Sequence, residues 1–497
     1  MNPDRFRSKS VKTFLSMSLF ATRHLRLVLA VYVILCSAYL HGQTAKVSAV
    51  IDSWEQDASL THASWSFTML DASNGATLLE YDGARALPPA SGMKAITTLV
   101  ALHTLGPKYT WKTYLETNAA ITGDSVLTGD LVIRGTGDPT LGSSRISGNL
   151  RLDSLVDEWA DRLWDAGIRV INGHIVADQS WFDAYPVPRS WNYDDIGQYY
   201  GAGAYAVNCR ENYYTLFYST TSSSTRIDSV FPNGRGWDFI NDVAVAGRYD
   251  NAYIFNAPGC NEFRVTGTIP ANKQAYEVDG SIPDPGNVLA DYLERALNKK
   301  GIMVLQKNGA SPGKEKNILY MHVSPTLDSV IWHTNRKSIN VYAETLVKTM
   351  GRELKGEGSY SAGVRVMRDW LQDTGVDLGG LNLEDGSGLS RLNTVSSATM
   401  AGIMAYATKS KYAGIYLESL SVSGESGTLK VVTRNTVGQG RILAKSGSMQ
   451  KIRSYSGIVH AVSGKTYAFS IIVNQYGESS AAIRKRLEDL LVAMAAS

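Results

Sequence analysis

Apolar positions along this chain change period several times, and each change marks an element. Ser64–Leu70 and Thr77–Tyr81, flanking a turn containing Asn74-Gly75, predict a β-hairpin. After a Pro88-Pro89 break, a helical pattern runs from Ser91 to Leu105 and is stopped by Gly106-Pro107. Leu152, Leu155, Val156, Trp159 and Leu163 share one face of an amphipathic helix that ends at Gly167. Ile168–Ile171, an Asn172-Gly173 turn and His174–Ala177 follow as strand, turn and strand. A similar helix, glycine, strand and Asn-Gly order returns over 287–310, an echo of the same supersecondary unit too short to argue duplication. The Ser/Thr run 219–225 is expected as a solvated loop. Strand-like runs at 455–462 and 467–473 precede a closing helix with Ile483, Leu487, Leu490, Leu491 and Met494 at helical spacing. Three zones result: a hairpin and helix over 46–108, a strand-rich middle over 109–325, and alternating helices and strands over 326–497.

One apolar run has a different meaning. Leu27–Leu40 is uninterrupted and follows a polar, basic stretch, yet its 14 residues fall short of the roughly 20 a spanning helix needs. It is expected to be the core of a secretory signal in residues 1–42, with cleavage near Gly42. A retained anchor is the alternative. Leu35 before Cys36 is too large for a lipobox. Secretion across the cytoplasmic membrane to the periplasm is therefore expected, with no stable membrane span after signal removal.

The chain has 497 residues, 44 % hydrophobic and 19 % charged, which excludes a disordered or fibrous protein. Six of the 49 Lys and Arg and one of the 46 Asp and Glu lie in residues 1–42, leaving 43 basic against 45 acidic. A near-neutral body has no broad field for a phosphate backbone, so no nucleic acid partner is expected. With Cys36 removed, Cys209 and Cys260 remain; an oxidising compartment permits one bridge, and two unpaired thiols are the alternative.

Three patterns were weighed and set aside. The eight histidines contain no HExxH and no i,i+4 pair, so no metal site is expected. Gly135-Thr136-Gly137 lacks the third glycine of a dinucleotide site. Gly309-Ala310-Ser311-Pro312-Gly313 fits GxSxG, but Pro312 has no N–H for an oxyanion hole.

A three-part constellation carries the chemistry. In Ser91-Gly92-Met93-Lys94 the lysine stands one helical turn from the serine, and burial can lower its amine enough to serve as a base. Ser338-Ile339-Asn340 precedes the helical run Val341–Met350. Ser338 can relay a proton between Lys94 and a leaving amine, and Asn340 can hold a substrate amide. Lys445-Ser446-Gly447 supplies positive charge, a hydroxyl at Ser446 or Ser448 for a substrate carboxylate, and a small residue so that substrate can lie along a strand edge. The N–H groups of Ser91 and Ser448 would form the oxyanion hole.

PPASGMKAITTLVALHTLG (88–106), GDLVIRGTGDPTL (129–141), NRKSINVYAETLVKTMG (335–351), DGSGLSRLNTVS (385–396) and SGTLK…AKSGSM (426–449) together carry a resemblance. The chain resembles the penicillin-binding D-alanyl-D-alanine carboxypeptidases/endopeptidases related to bacterial penicillin-binding protein 4, the S13 serine peptidases. The resemblance implies an α+β fold: a penicillin-recognising, serine transpeptidase/β-lactamase-like domain, with a five-stranded antiparallel sheet between helices, from 46–108 plus 326–497. It implies a large, mainly β insert over 109–325. The family's functional residues carry onto Ser91, Lys94, Ser338, Asn340 and Lys445. Ser446 replaces the family's usual threonine, which keeps the hydroxyl and removes a methyl. Asp385, Ser387 and the glycines of 385–390 are expected to shape the rim.

The implied activity is acyl transfer on peptidoglycan stem peptides through an acyl-enzyme on Ser91, without metal or organic cofactor, and β-lactams would acylate the same serine. A serine β-lactamase is the second reading. Its water-activating glutamate would belong after the second motif, whereas Glu294-Arg295-Ala296-Leu297-Asn298 comes before Ser338. A non-catalytic binding or scaffold protein on the same fold is the third.

Overall fold

The alternating segments near the start and end of the chain meet in one sheet. The structure, a computed structural model, describes residues 44–306 and 316–497. Ser64–Asp71 and Thr77–Tyr81 pair antiparallel, and at the turn between them Gly75 adopts φ +79° while Asn74 accepts the Ala76 N–H. Ser64–Asp71 pairs on its other side with Thr466–Asn474, and the order continues through Ile452–His460 and Ile442–Met449 to Ser421–Val422. All these pairings are antiparallel. The sheet has six strands where five were expected, because Ser421–Val422 adds a short one. It pairs only with Ala444 and Leu443, so it covers the first half of its neighbour and leaves 445–449 without a strand partner on that side among the described residues.

Helices cover both faces, which is why the inner strands read as nearly continuous apolar runs. Along Thr466–Asn474, Tyr467, Phe469, Ile471 and Val473 face one layer and Ala468 and Ile472 the other, as a period of two requires. The first layer holds helical residues 44–55 and the closing helix Ser480–Ala495, whose predicted apolar positions are all buried. The second holds Met93–Leu105, Leu327–Lys337, Asn340–Lys355, Tyr360–Gln372 and Ser397–Lys409. Met93–Leu105 is buried at every position from Met93 to Leu102. A helix enclosed on all sides needs no polar stripe, so Lys94 stands out as the one charged side chain there.

Strands between 112 and 323 build separate sheets around a second buried cluster. The repeated unit is a spatial pair. Leu152–Asp165 and Pro285–Lys300 pack together, Gly167 and Gly301 turn the chain at positive φ, and Val170–Ile171 lies parallel to Met303–Val304. The first unit's strands are shorter or shifted relative to expectation: Val170–Ile171 and Ile175–Asp178. Only 221–224 of the Ser/Thr run turn; Thr220 and Thr225 end paired strands, where β-branched residues fit the pleat. Cys209 and Cys260 are both free, the first buried in this cluster and the second exposed, so no bridge forms. The expected signal and the GxSxG segment 309–313 lie outside the described residues. Among the described residues no helix is long and apolar enough to cross a membrane.

Candidate active site

Pro88-Pro89 leads into a short 3₁₀ turn, Ala90–Gly92, that carries Ser91 and passes directly into Met93–Leu105. The expected helix therefore starts two residues later than Ser91. Ala90 holds φ +49°, an unfavourable conformation for a residue with a Cβ, and it aims the turn at the sheet. There Gly447 meets it: a Cβ at Gly447 would lie 2.1 Å from the Pro89 carbonyl oxygen. The glycine is thus required by the approach of the Ser91 turn, a different reason from the room for substrate expected above. Ser454 on the adjacent strand donates to the same carbonyl at 2.6 Å.

Lys94 is fully buried, and its Nζ donates to Ser91 Oγ (3.0 Å), Asn340 Oδ1 (2.6 Å) and the Ser387 carbonyl (2.8 Å). Burial lowers its pKa to about 7, against the opposing pull of Glu344 and Asp385. Ser338 sits between Leu327–Lys337 and Asn340–Lys355 at φ +59°, a position where glycine is usual. This conformation joins two helices at a sharp corner and presents Ser338 Oγ to Lys445 Nζ at 2.9 Å. Lys445 also donates to the Ser446 carbonyl (2.9 Å), and burial, helped by the charge on Lys94, holds its pKa well below the usual lysine value. Asn340 donates through Nδ2 to the Tyr200 carbonyl (2.7 Å), so both ends of its amide are engaged.

Ser91, Ser338, Asn340 and Ser448 line one cavity of about 340 Å³. Lys94 and Lys445 lie beneath it, joined to its wall by the bonds just described. Ser446 stands apart: its hydroxyl donates to Thr428 Oγ1 at 2.7 Å. Ser448 is exposed at the strand's open half. The far wall comes from the middle of the chain, with Asp194, Asp195, Tyr199, Tyr200 and Tyr253, and Arg391 closes the rim.

Sequence reasoning missed Tyr200 and Glu344, and it placed Ser387 at the rim without its part in holding Lys94. Ser387 enters through its carbonyl, which any residue could supply. Tyr200 does the same from a distant segment. Glu344 was detectable, since it follows Asn340 by one helical turn; it is fully buried and accepts the Gly386 N–H (3.1 Å) and the Ser387 N–H (2.8 Å). Burial, then the nearby Asp385, pushes its pKa up to about 8. Asp385 shapes the loop as expected, accepting from the Gly388 and Ser390 N–H groups, Asn393 Nδ2 and Trp191 Nε1.

A hydroxyl against a depressed, buried amine, beside a second buried amine and a strand edge open to an extended ligand, suits nucleophilic attack on an amide. Comparisons with known proteins agree. The chain is 30 % identical over 442 residues to a D-alanyl-D-alanine carboxypeptidase of Actinomadura sp., covering 85 % of this chain and 80 % of that one. It is 25 % identical over 417 residues to the D-alanyl-D-alanine carboxypeptidase DacB of Haemophilus influenzae, covering 80 % and 83 %. The crystal structure of penicillin binding protein 4 (dacB) from Haemophilus influenzae shares the fold, with a TM-score of 0.73 at 21 % identity over 90 % of this chain and 97 % of that one. A second structure of that protein, complexed with a β-lactam, gives 0.69 at 22 % identity over 87 % and 95 %. The model of the D-Ala-D-Ala carboxypeptidase 3 (S13) family matches residues 47–496, and this chain belongs to that family.

Proposed function

We propose that this chain is a serine-type D-Ala-D-Ala carboxypeptidase/endopeptidase acting on peptidoglycan stem peptides through an acyl-enzyme on Ser91. The observation that carries the reading is Lys94 Nζ, buried and 3.0 Å from Ser91 Oγ beneath a cavity that also reaches Ser338 and Ser448. With the amine free, the Ser91 hydroxyl donates to its lone pair. Ser91 Oγ attacks the carbonyl of the penultimate D-Ala while its proton passes to Lys94. The oxyanion is held by the N–H groups of Ser91 and Ser448. As the bond breaks, the proton held by Lys94 passes through Ser338 to the leaving amine, which is terminal D-Ala or a cross-bridge amine, and the free amine of Lys94 is restored. Water then hydrolyses the ester: Lys94 takes a proton from the attacking water and returns it to Ser91 Oγ as the ester bond breaks. Asn340, Lys445, Ser446 and Ser448 bind the substrate, whose extended backbone lies along 445–449.

The same reading divides the chain into a catalytic domain, 46–108 with 326–497, and an insert, 109–325. The largely separate buried clusters support it. Residues 1–42 act as the export signal, and the enzyme works in the periplasm, where its polymer lies. A β-lactamase reading finds no support in Glu294, which is in Pro285–Lys300 and pairs with Arg235 at 3.1 Å.

Intact mass after brief exposure to penicillin tests the proposal, with wild type beside Ser91→Ala. A lasting adduct on wild type alone, followed by D-Ala release from a D-Ala-D-Ala peptide, is the expected result. No adduct with penicillin left intact would favour a scaffold. Penicillin consumed without an adduct would favour a β-lactamase.

A further inference from the structure

We propose that Glu344 is a positioning residue for the proton transfer between Ser91 and Lys94, acting through the Ser387 carbonyl. The proposal rests on the roles given to Ser91 and Lys94 above. A free amine has two N–H donors and one lone pair. At Lys94 the two donors have acceptors in Asn340 Oδ1 (2.6 Å) and the Ser387 carbonyl (2.8 Å), which leaves the lone pair for Ser91. Removing either acceptor frees the amine to rotate about its own bond, and the lone pair is then aimed only part of the time.

Each acceptor is held in turn. The Tyr200 carbonyl takes the Asn340 Nδ2 proton and fixes that amide's orientation. The Ser387 carbonyl lies in a loop whose successive N–H groups are gripped by carboxylates. Glu344 takes those of Gly386 and Ser387, one on each oxygen, and Asp385 takes that of Gly388. Glu344 and Asn340 lie one turn apart on a single helix, so both arms of the clamp share one rigid base.

Charge alone does not explain a carboxylate here. Lys94 feels the opposite charges of Glu344 and Asp385 and the like charge of Lys445. Once ionised, Glu344 favours the protonated amine, which is the wrong state for a base, and its raised pKa delays that ionisation to about 8. Its benefit to the reaction is geometric, and this sets two effects of its removal in opposite directions.

The test is the rate of Ser91 acylation by penicillin, per correctly folded molecule, followed by intact mass from about pH 5 to about pH 9. Wild type, Glu344→Gln and Glu344→Asp are compared, with circular dichroism and melting temperature recorded for each. In Glu344→Gln an amide NH₂ opposes a backbone N–H; the plateau rate is expected to fall about 10- to 100-fold while the ascending limb moves to lower pH. Glu344→Asp keeps the charge but withdraws the carboxylate, so its plateau falls with the limb in place. It also carries the test if the glutamine variant does not fold. Wild-type plateaus in the folded fraction of the variants, with or without a lower melting temperature, would overturn the proposal. A wild type that takes no adduct on Ser91 would instead overturn the site assignment, and this role with it.

Discussion

Between residues 112 and 323, a knot of aromatic rings stands within a largely aliphatic buried core. Phe263 stacks on Phe239 with centroids 4.6 Å apart, and Trp237 and Tyr214 close on it at 5.1 and 5.4 Å. The buried charged groups of that region are carboxylates, Glu116, Asp138 and Glu211, whereas around the central sheet the buried amines Lys94, Lys348 and Lys445 stand with Glu344 and Asp385. An aromatic cluster is stabilised by area and dispersion and tolerates small shifts. Buried charges are stable only while every partner stays in place, so their geometry is fixed sharply. The middle region lends the site a wall and one backbone carbonyl; the sheet region supplies the proposed reacting groups. Precision is concentrated where buried amines meet buried carboxylates.

Substitutions can break this comparison, beginning with the strongest. Lys94→Ala leaves Ser91 without its base, and acylation by penicillin should fall by about 1,000-fold or more in stopped-flow or mass-spectrometric assays. Gly447→Ala drives a methyl into the Pro89 carbonyl two residues before Ser91. A loss of about 100-fold in acylation is expected, with about 1–3 kcal/mol of stability lost in urea unfolding.

The pH dependence should be about tenfold per unit below the limb, because acylation requires the free amine and Lys94 is depressed to about 7. Stability has its own sign. From about 7 to the ordinary lysine value of 10.5, the unfolded chain holds a proton on Lys94 that the folded chain lacks, so folding is favoured as pH rises. Glu344 acts oppositely up to about 8, and Lys445 adds to the Lys94 effect. Denaturation midpoints measured above that value should therefore increase with pH, and less so in Lys94→Met.

The smallest kinetic effect belongs to the aromatic region. Phe263→Ala should cost about 3–5 kcal/mol of local stability by hydrogen exchange while changing acylation by penicillin less than about twofold. A large kinetic loss in that variant would show that the middle region sets the site's precision too.

Much of this architecture can be read from periodicity, and the reasons for the exceptions are physical. The Asn74-Gly75 turn identified the hairpin that ends in Thr77–Tyr81, and i,i+4 spacing identified the buried stripe of Leu152–Asp165, because that helix has one covered face. Motif spacing brought Ser91, Lys94, Ser338, Asn340 and Lys445 to notice, and the fold gathers them. The left-handed Ser338 escaped, since nothing in serine announces positive φ. Carbonyl groups of Tyr200 and Ser387 escaped because backbone acceptors have no letter. The sixth strand escaped because two residues cannot establish a period.

That two-residue strand has a consequence for the molecule among its own copies. An open β-edge is a template for any extended chain, including another protein of the same kind. Here the cap at Ser421–Val422 shortens the exposed edge, and residues from the middle region stand across its cavity. A long sheet edge of a second molecule would have to displace that wall, whereas a short flexible peptide can thread beneath it. The wall that lines the cavity of the reacting groups thus also stands in the way of edge-to-edge association.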